Sequence, residues 1–111
     1  PYGGMEHQTA TTIHRNWLKN TSELGVVHEV GHHWLGNMIS CATWNDIWIN
    51  EGGASWIEWL WVGNQFNQER YDEYIRFYNN VYLNQSPYVN IQEIYGIPPA
   101  EIFTNKNVYL V

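Results

Sequence analysis

The chain of 111 residues predicts a mainly α fold of the α+β class, built of helices with one short edge strand. Three observations carry that expectation. Apolar residues recur at three- and four-residue steps between Val27 and Met38, and an almost unbroken apolar run covers Trp56 to Val62. Tyr71, Tyr74, Ile75, Tyr78, Val81 and Tyr82 then share a helical spacing.

Residues 1–13, "PYGGMEHQTATTI", begin with a glycine pair and pass into Thr-rich alternation, which predicts a turn beside a short strand. Residues 14–21 are polar and loop-like. A helix is expected over 22–39, with Ser22 as its cap and Glu23 at the positive end of its dipole. Val27, Val30, Gly31, Trp34 and Met38 mark its buried face. After the connector "SCATWNDIW" comes a second helix over 47–62, whose run from Trp56 to Val62 is interrupted by Glu58 alone. A helix so apolar is normally covered on every side. Trp34, Trp44 and Trp48 are expected in the core. A third helix, amphipathic and surface-lying, is expected over 68–84, and 85–111 forms an irregular tail. The whole is one partial domain without internal repeats.

Composition narrows the function classes. With 44% hydrophobic and 16% aromatic residues the chain has the makings of a packed core. Eleven acidic residues against five basic ones leave a net charge of -6, and no cluster of Lys or Arg could neutralise a run of phosphates, so nucleic acid is excluded as a partner. No apolar stretch is long enough to form a membrane segment. Cys41 is the single cysteine and has no internal disulfide partner, which leaves the compartment open. The chain begins at Pro1 and is read as a piece of a longer protein.

The chemistry concentrates in "GVVHEVGHHWLGN", residues 25–37, which holds three of the five histidines. His28 and His32 are four apart, about 40° round a helix, so both rings leave one face and can share an ion. Glu29 lies roughly 100° from His28, within reach of a water beside that ion. This is the HExxH arrangement. Zinc in a hydrolase keeps three protein ligands and one open position, so a third ligand is required. Glu51, in "INEGGA" on the second helix, would meet the histidines across a helical hairpin and complete a site for one Zn2+ ion. His33, about 140° from His28, leaves that face and reads as a packing or surface histidine. Asp46 and Glu58 can steady ligand histidines from behind, or serve as ordinary solvated or capping carboxylates.

With His28, Glu29, His32 and Glu51 in place, the sequence resembles the zinc aminopeptidases of the aminopeptidase N and leukotriene hydrolase family, which are gluzincins. "GGMEH" at residues 3–7 is similar to the family's GxMEN exopeptidase motif. "HHWLGN" resembles its HxWxG(N/D) continuation, and "WNDIWINEGGAS" its W-x-D-x-W-(L/I)-N-E-G-F-A segment. The resemblance implies a fragment of a thermolysin-like zincin catalytic domain, flanked in the parent chain by further domains. Its substrates would be peptides with a free N-terminus. It implies that Glu29 is the catalytic base and that Glu6 binds the substrate's α-amino group, while the backbone of Gly3, Gly4 and Met5 pairs with the peptide. A family tyrosine in a Y-x-K-G context, which stabilises the oxyanion, corresponds to Tyr109. Val111 stands where that motif has lysine, His7 replaces its asparagine, and Gly53 replaces its phenylalanine, which would loosen the packing behind Glu51.

Three other readings stay open from the sequence: an endopeptidase or epoxide hydrolase on the same scaffold, a noncatalytic or inactive domain that keeps the fold, and a structural helical domain with coincidental histidines.

Overall fold

The computed structural model describes residues 3–19, 23–85, 98 and 101. Ser22 and Tyr109 lie outside the described residues, as does most of the tail. The described part is mainly helical with one small sheet. Strands β1 (Gly4–Met5) and β2 (Thr12–Ile13) pair antiparallel, Gly4 opposite Ile13 and Met5 opposite Thr12. The hairpin is extended by the His14 amide, which donates to the Gly3 carbonyl at 2.7 Å. Four helices follow: α1 (Arg15–Lys19), α2 (Glu23–Gly31), α3 (Ile47–Gln65) and α4 (Gln68–Gln85), with a 3₁₀ turn at Trp44–Asp46 leading into α3. No helix among the described residues is long and apolar enough to cross a membrane.

Helix α1 replaces the loop expected over residues 14–21. Its polar sequence carries no apolar periodicity, so the cause is tertiary: the Trp17 indole sits against Gly3 and Gly25, at both of which a β-carbon would collide with the ring. One half-buried aromatic thus ties the hairpin to the start of α2.

Helix α2 also departs from expectation, ending at Gly31 instead of continuing to Ile39. The last turn tightens, with the amides of His33 and Trp34 donating three residues back to Val30 and Gly31. Gly36, at φ 144°, then reverses the chain, and the Asn37 amide closes the turn on the His32 carbonyl at 2.8 Å. Because the helix stops, Trp34 and Met38 leave the expected inner face and are 56% and 68% exposed. Trp44 and Val30 are exposed too. Instead the inward side of this segment holds Glu29, Gly31 and His32.

Helix α3 packs most extensively on α2, then on α4. It is not covered all round: Ile47, Ala54 and Val62 are buried, while Trp56 and Leu60 face out. The closest approach to α2 is at small residues. A β-carbon on Gly31 would lie 3.2 Å from the Ile57 side chain and 3.4 Å from the Ala54 backbone, and Ala54 is fully buried. Glu51 and Glu58 lie one turn to either side of Ala54, so this contact decides how near the two helices bring their polar groups.

Enlarging that contact separates the helices. Ala54→Leu is expected to cost about 1–3 kcal/mol through overpacking and to weaken zinc uptake. Denaturant melts beside metal analysis will check both effects.

Candidate metal centre

Three helical turns supply the cluster. His28 lies in the last turns of α2 and His32 one turn later, its amide still donating to the His28 carbonyl at 3.1 Å. Glu51 comes from the second turn of α3. One ligand atom from each lies within 4.8 Å of the other two.

The outer nitrogen of each ring is held by an acceptor. His28 Nδ1 donates to Glu58 Oε1 at 2.6 Å, and His32 Nδ1 donates to the Leu35 carbonyl at 3.0 Å. Both Nε2 atoms therefore turn inward, 3.0 Å from each other and 3.1 and 3.4 Å from Glu51 Oε2. A tetrahedral ion with zinc-to-ligand bonds of about 2.0–2.1 Å needs its ligand atoms about 3.4 Å apart. Two imidazoles and a carboxylate at this spacing fit zinc, and the acceptors behind the rings fix their tautomers as metal-ligating histidines require.

Burial disfavours charge on His28, but hydrogen bonds to Glu51 and Glu58 and their negative charges outweigh it and raise its pKa to about 9. His32 shifts upward as well, with burial opposed by the hydrogen bond to Glu51. Glu51 is the mirror image: burial works against its charge, yet hydrogen bonds from the two histidines lower its pKa to about 2. Glu29 moves the other way. Burial raises its pKa, and nearby Glu6 and Glu51 push in the same direction against the two histidines. A carboxylate displaced toward neutral pH suits proton transfer.

The hairpin forms a wall of the same cleft. Gly3, Gly4, Met5 and Glu6 line it together with His28, Glu29, His32 and Glu51, around an open volume of about 1310 Å³. Gly4 lies so close to the Glu29 carboxylate that a β-carbon there would overlap it. Asn37 Nδ2 donates to the Glu6 carbonyl at 2.6 Å and ties the hairpin to the turn after His32. His33 faces the hairpin as well, its Nε2 3.0 Å from Thr11 Oγ1.

Of the two supporting carboxylates weighed from sequence, Glu58 meets His28 while Asp46 accepts from Thr43 Oγ1 at 2.7 Å. The decisive signal for Glu58 is its place seven residues after Glu51, two turns along the same helical face. The Leu35 carbonyl and Asn37 have no such signal, because their roles arise from the turn that ends α2. Gly53 does not leave the packing loose: the Leu35 side chain fills the space a larger residue would take, and a β-carbon at Gly53 would collide with it. Tyr109 lies outside the described residues.

Comparison with known proteins agrees with this geometry. The profile of the Peptidase family M1 domain matches residues 1–94. The chain belongs to peptidase family M1. Leukotriene A-4 hydrolase of Xenopus laevis is 34% identical over 71 residues, 62% of this chain and 12% of that protein. Aminopeptidase N of Bos taurus is 51% identical over 35 residues, 32% of this chain and 4% of that protein. A probable M1 family aminopeptidase 2 of Encephalitozoon cuniculi is 43% identical over 47 residues, 42% of this chain and 5% of that protein. The chain thus spans a small part of the length of the curated relatives it matches. No solved structure matches it. The described helices and two-stranded sheet are consistent with a fragment of the M1 catalytic domain, and the M1 family is zinc-dependent.

Protons compete with zinc for His28. Its pKa of about 9 means that a metal-free site carries a proton there at pH 7, and zinc must displace it. Zinc affinity is therefore expected to rise by about tenfold or more per pH unit between pH 6 and 8, with proton release on uptake. Calorimetry in buffers of different ionisation heat will measure that release, and a pH-independent affinity would contradict it.

Proposed function

We propose that this chain provides the active-site core of a zinc aminopeptidase that removes residues singly from peptide N-termini. The observation supporting this most directly is one cleft holding a zinc-suited His28–His32–Glu51 cluster, Glu29 with its pKa raised by burial, and the carboxylate-bearing hairpin of Glu6.

His28, His32 and Glu51 would hold one zinc ion, which when bound supplies Lewis acidity for polarising a scissile carbonyl. Glu29 takes the proton of the attacking water and delivers it to the departing amine. Its buried setting, under Gly4 and beside Glu6, raises its pKa and so makes it a stronger base than an exposed glutamate. Glu6 binds the substrate's ammonium group. A carboxylate there rewards a free N-terminus and leaves an acetylated one without its ion pair. The backbone of Gly3, Gly4 and Met5 pairs with the peptide, since an edge of a two-stranded sheet offers amides and carbonyls to an extended chain. Tyr109, on resemblance alone, donates to the oxyanion. Flanking domains of the parent chain complete the cleft and cover the outward apolar residues of α3.

A second reading, favoured by the likeness to a leukotriene hydrolase, is a hydrolase on the same scaffold that does not require a free amine.

The intact protein discriminates between them on aminoacyl-anilides with free and acetylated amines. Hydrolysis of the free form alone is expected, and equal rates would defeat the aminopeptidase reading. Glu29→Gln is expected to retain zinc while losing about 10²–10⁴-fold in kcat. His32→Ala and Glu51→Ala should each lose the metal, as their stoichiometries will show.

A further inference from the structure

Helix α4 contributes no candidate ligand, yet it reaches the centre through a chain of hydroxyls. Glu58 accepts from His28 Nδ1 with Oε1, and its other oxygen, Oε2, accepts from the Tyr74 hydroxyl at 3.3 Å. That hydroxyl lies 3.3 Å from the hydroxyl of Tyr78. The two rings pack together with centroids 4.9 Å apart, and Tyr78 rests on Trp59 of α3 at 5.5 Å. Glu58, Tyr74 and Tyr78 all border the same cleft as the histidines.

We infer that Tyr74 is a positioning residue for the metal centre: its hydroxyl holds the Glu58 carboxylate in the orientation that fixes His28. This rests on the zinc site proposed above. A glutamate side chain has several free torsions, and one hydrogen bond through Oε1 leaves the carboxylate able to turn about its last bond. A donor on Oε2 removes that freedom. His28 Nδ1 then keeps its acceptor, the ring keeps its orientation, and Nε2 stays aimed at Glu51 and His32. Burial, the Tyr78 hydrogen bond and the charge of Glu58 all raise the Tyr74 pKa above its usual value, so the hydroxyl keeps the proton it donates.

Magnitude separates this role from that of Glu58. Loss of a direct partner to a ligand histidine weakens metal binding by about 10–100-fold. The Tyr74 contact is longer and one step further out, so about three- to tenfold is expected.

The test measures zinc dissociation constants of the intact protein by competition with a chromophoric chelator, in wild type, Tyr74→Phe, Glu58→Gln and the double variant. Tyr74→Phe keeps the ring and removes only the hydroxyl. A weakening in Tyr74→Phe that disappears when Glu58 is already Gln supports the inference, since a merely structural loss would add to the Glu58 effect. Wild-type affinity in Tyr74→Phe, or additive losses in the double variant, overturns it. Should Tyr74→Phe lose its helical circular dichroism, Tyr78→Phe takes its place, with a weakening of about twofold to threefold that again vanishes in the Glu58→Gln background. Unchanged affinity in that variant overturns the inference. A wild type that binds no zinc removes the metal reading itself, an outcome distinct from failure at Tyr74.

Discussion

The structure depends on one burial that is unfavourable by itself: Glu51 and His32 are withdrawn from water between α2 and α3, with Glu29 beside them. Among the described residues the buried polar and charged side chains, Glu29, His32, Asn50, Glu51 and Ser55, outnumber the buried apolar ones, Ile47, Ala54 and Val62. A core so composed holds together only if its charges satisfy one another. Removing one partner from a buried ion pair commonly costs about 3–5 kcal/mol, because the other charge is left without compensation. The opposite shifts of His28 and Glu51 express that mutual dependence. A divalent cation at the point where both Nε2 atoms and Glu51 Oε2 converge would replace the proton in this balance, so metal binding and packing of the two helices draw on the same interaction.

The polarity of α2 follows from this. An ordinary amphipathic helix turns valine and tryptophan inward, and the periodicity of Val27, Val30, Trp34 and Met38 suggests that arrangement. Here the inward side is committed to Glu29 and His32, and Val30 and Trp34 face outward. What was legible in the sequence is whatever the helical pitch dictates: a four-residue step puts His28 and His32 side by side, and a seven-residue step puts Glu51 and Glu58 on one face. What was not legible is set by contacts remote in sequence. Trp17 orders a helix from residues with no periodicity of their own, since its indole has Gly3 and Gly25 to rest against. The stop at Gly31 goes with a reversal at Gly36, whose left-handed backbone ends a segment that the apolar periodicity would carry on as helix. In the same way Leu35 fills the space beside Gly53, a compensation visible only when the turn after α2 is packed on α3.

The turn after His32 joins two tasks that chemistry keeps separate. Its carbonyl at Leu35 accepts from His32 Nδ1, and so aims a candidate metal ligand. Its Asn37 amide nitrogen grips the Glu6 carbonyl, and so sets the height of the hairpin over the cleft. Thr11 and His33 make a second tie between the same two segments. A hairpin with two-residue strands has little intrinsic stability, so its position relative to the histidines is inherited from this turn.

That inheritance bears on how an N-terminal residue can be recognised at all. Selecting a free amine requires the carboxylate that binds it to stand at a fixed distance from the atoms that act on the carbonyl, because a misplacement of about 1 Å can cost about a hundredfold in rate. If Glu6 were carried on an independent loop, that distance would fluctuate with the loop. Here the hairpin presses Gly4 onto Glu29 and is held by Asn37, one short turn from His32. The proposed amine anchor, the proposed base and a candidate metal ligand are therefore tied to one another by direct contacts. The lack of a β-carbon at Gly4 is what permits that contact, which is why a glycine two residues before Glu6 serves the site better than a residue that could offer the strand more packing of its own.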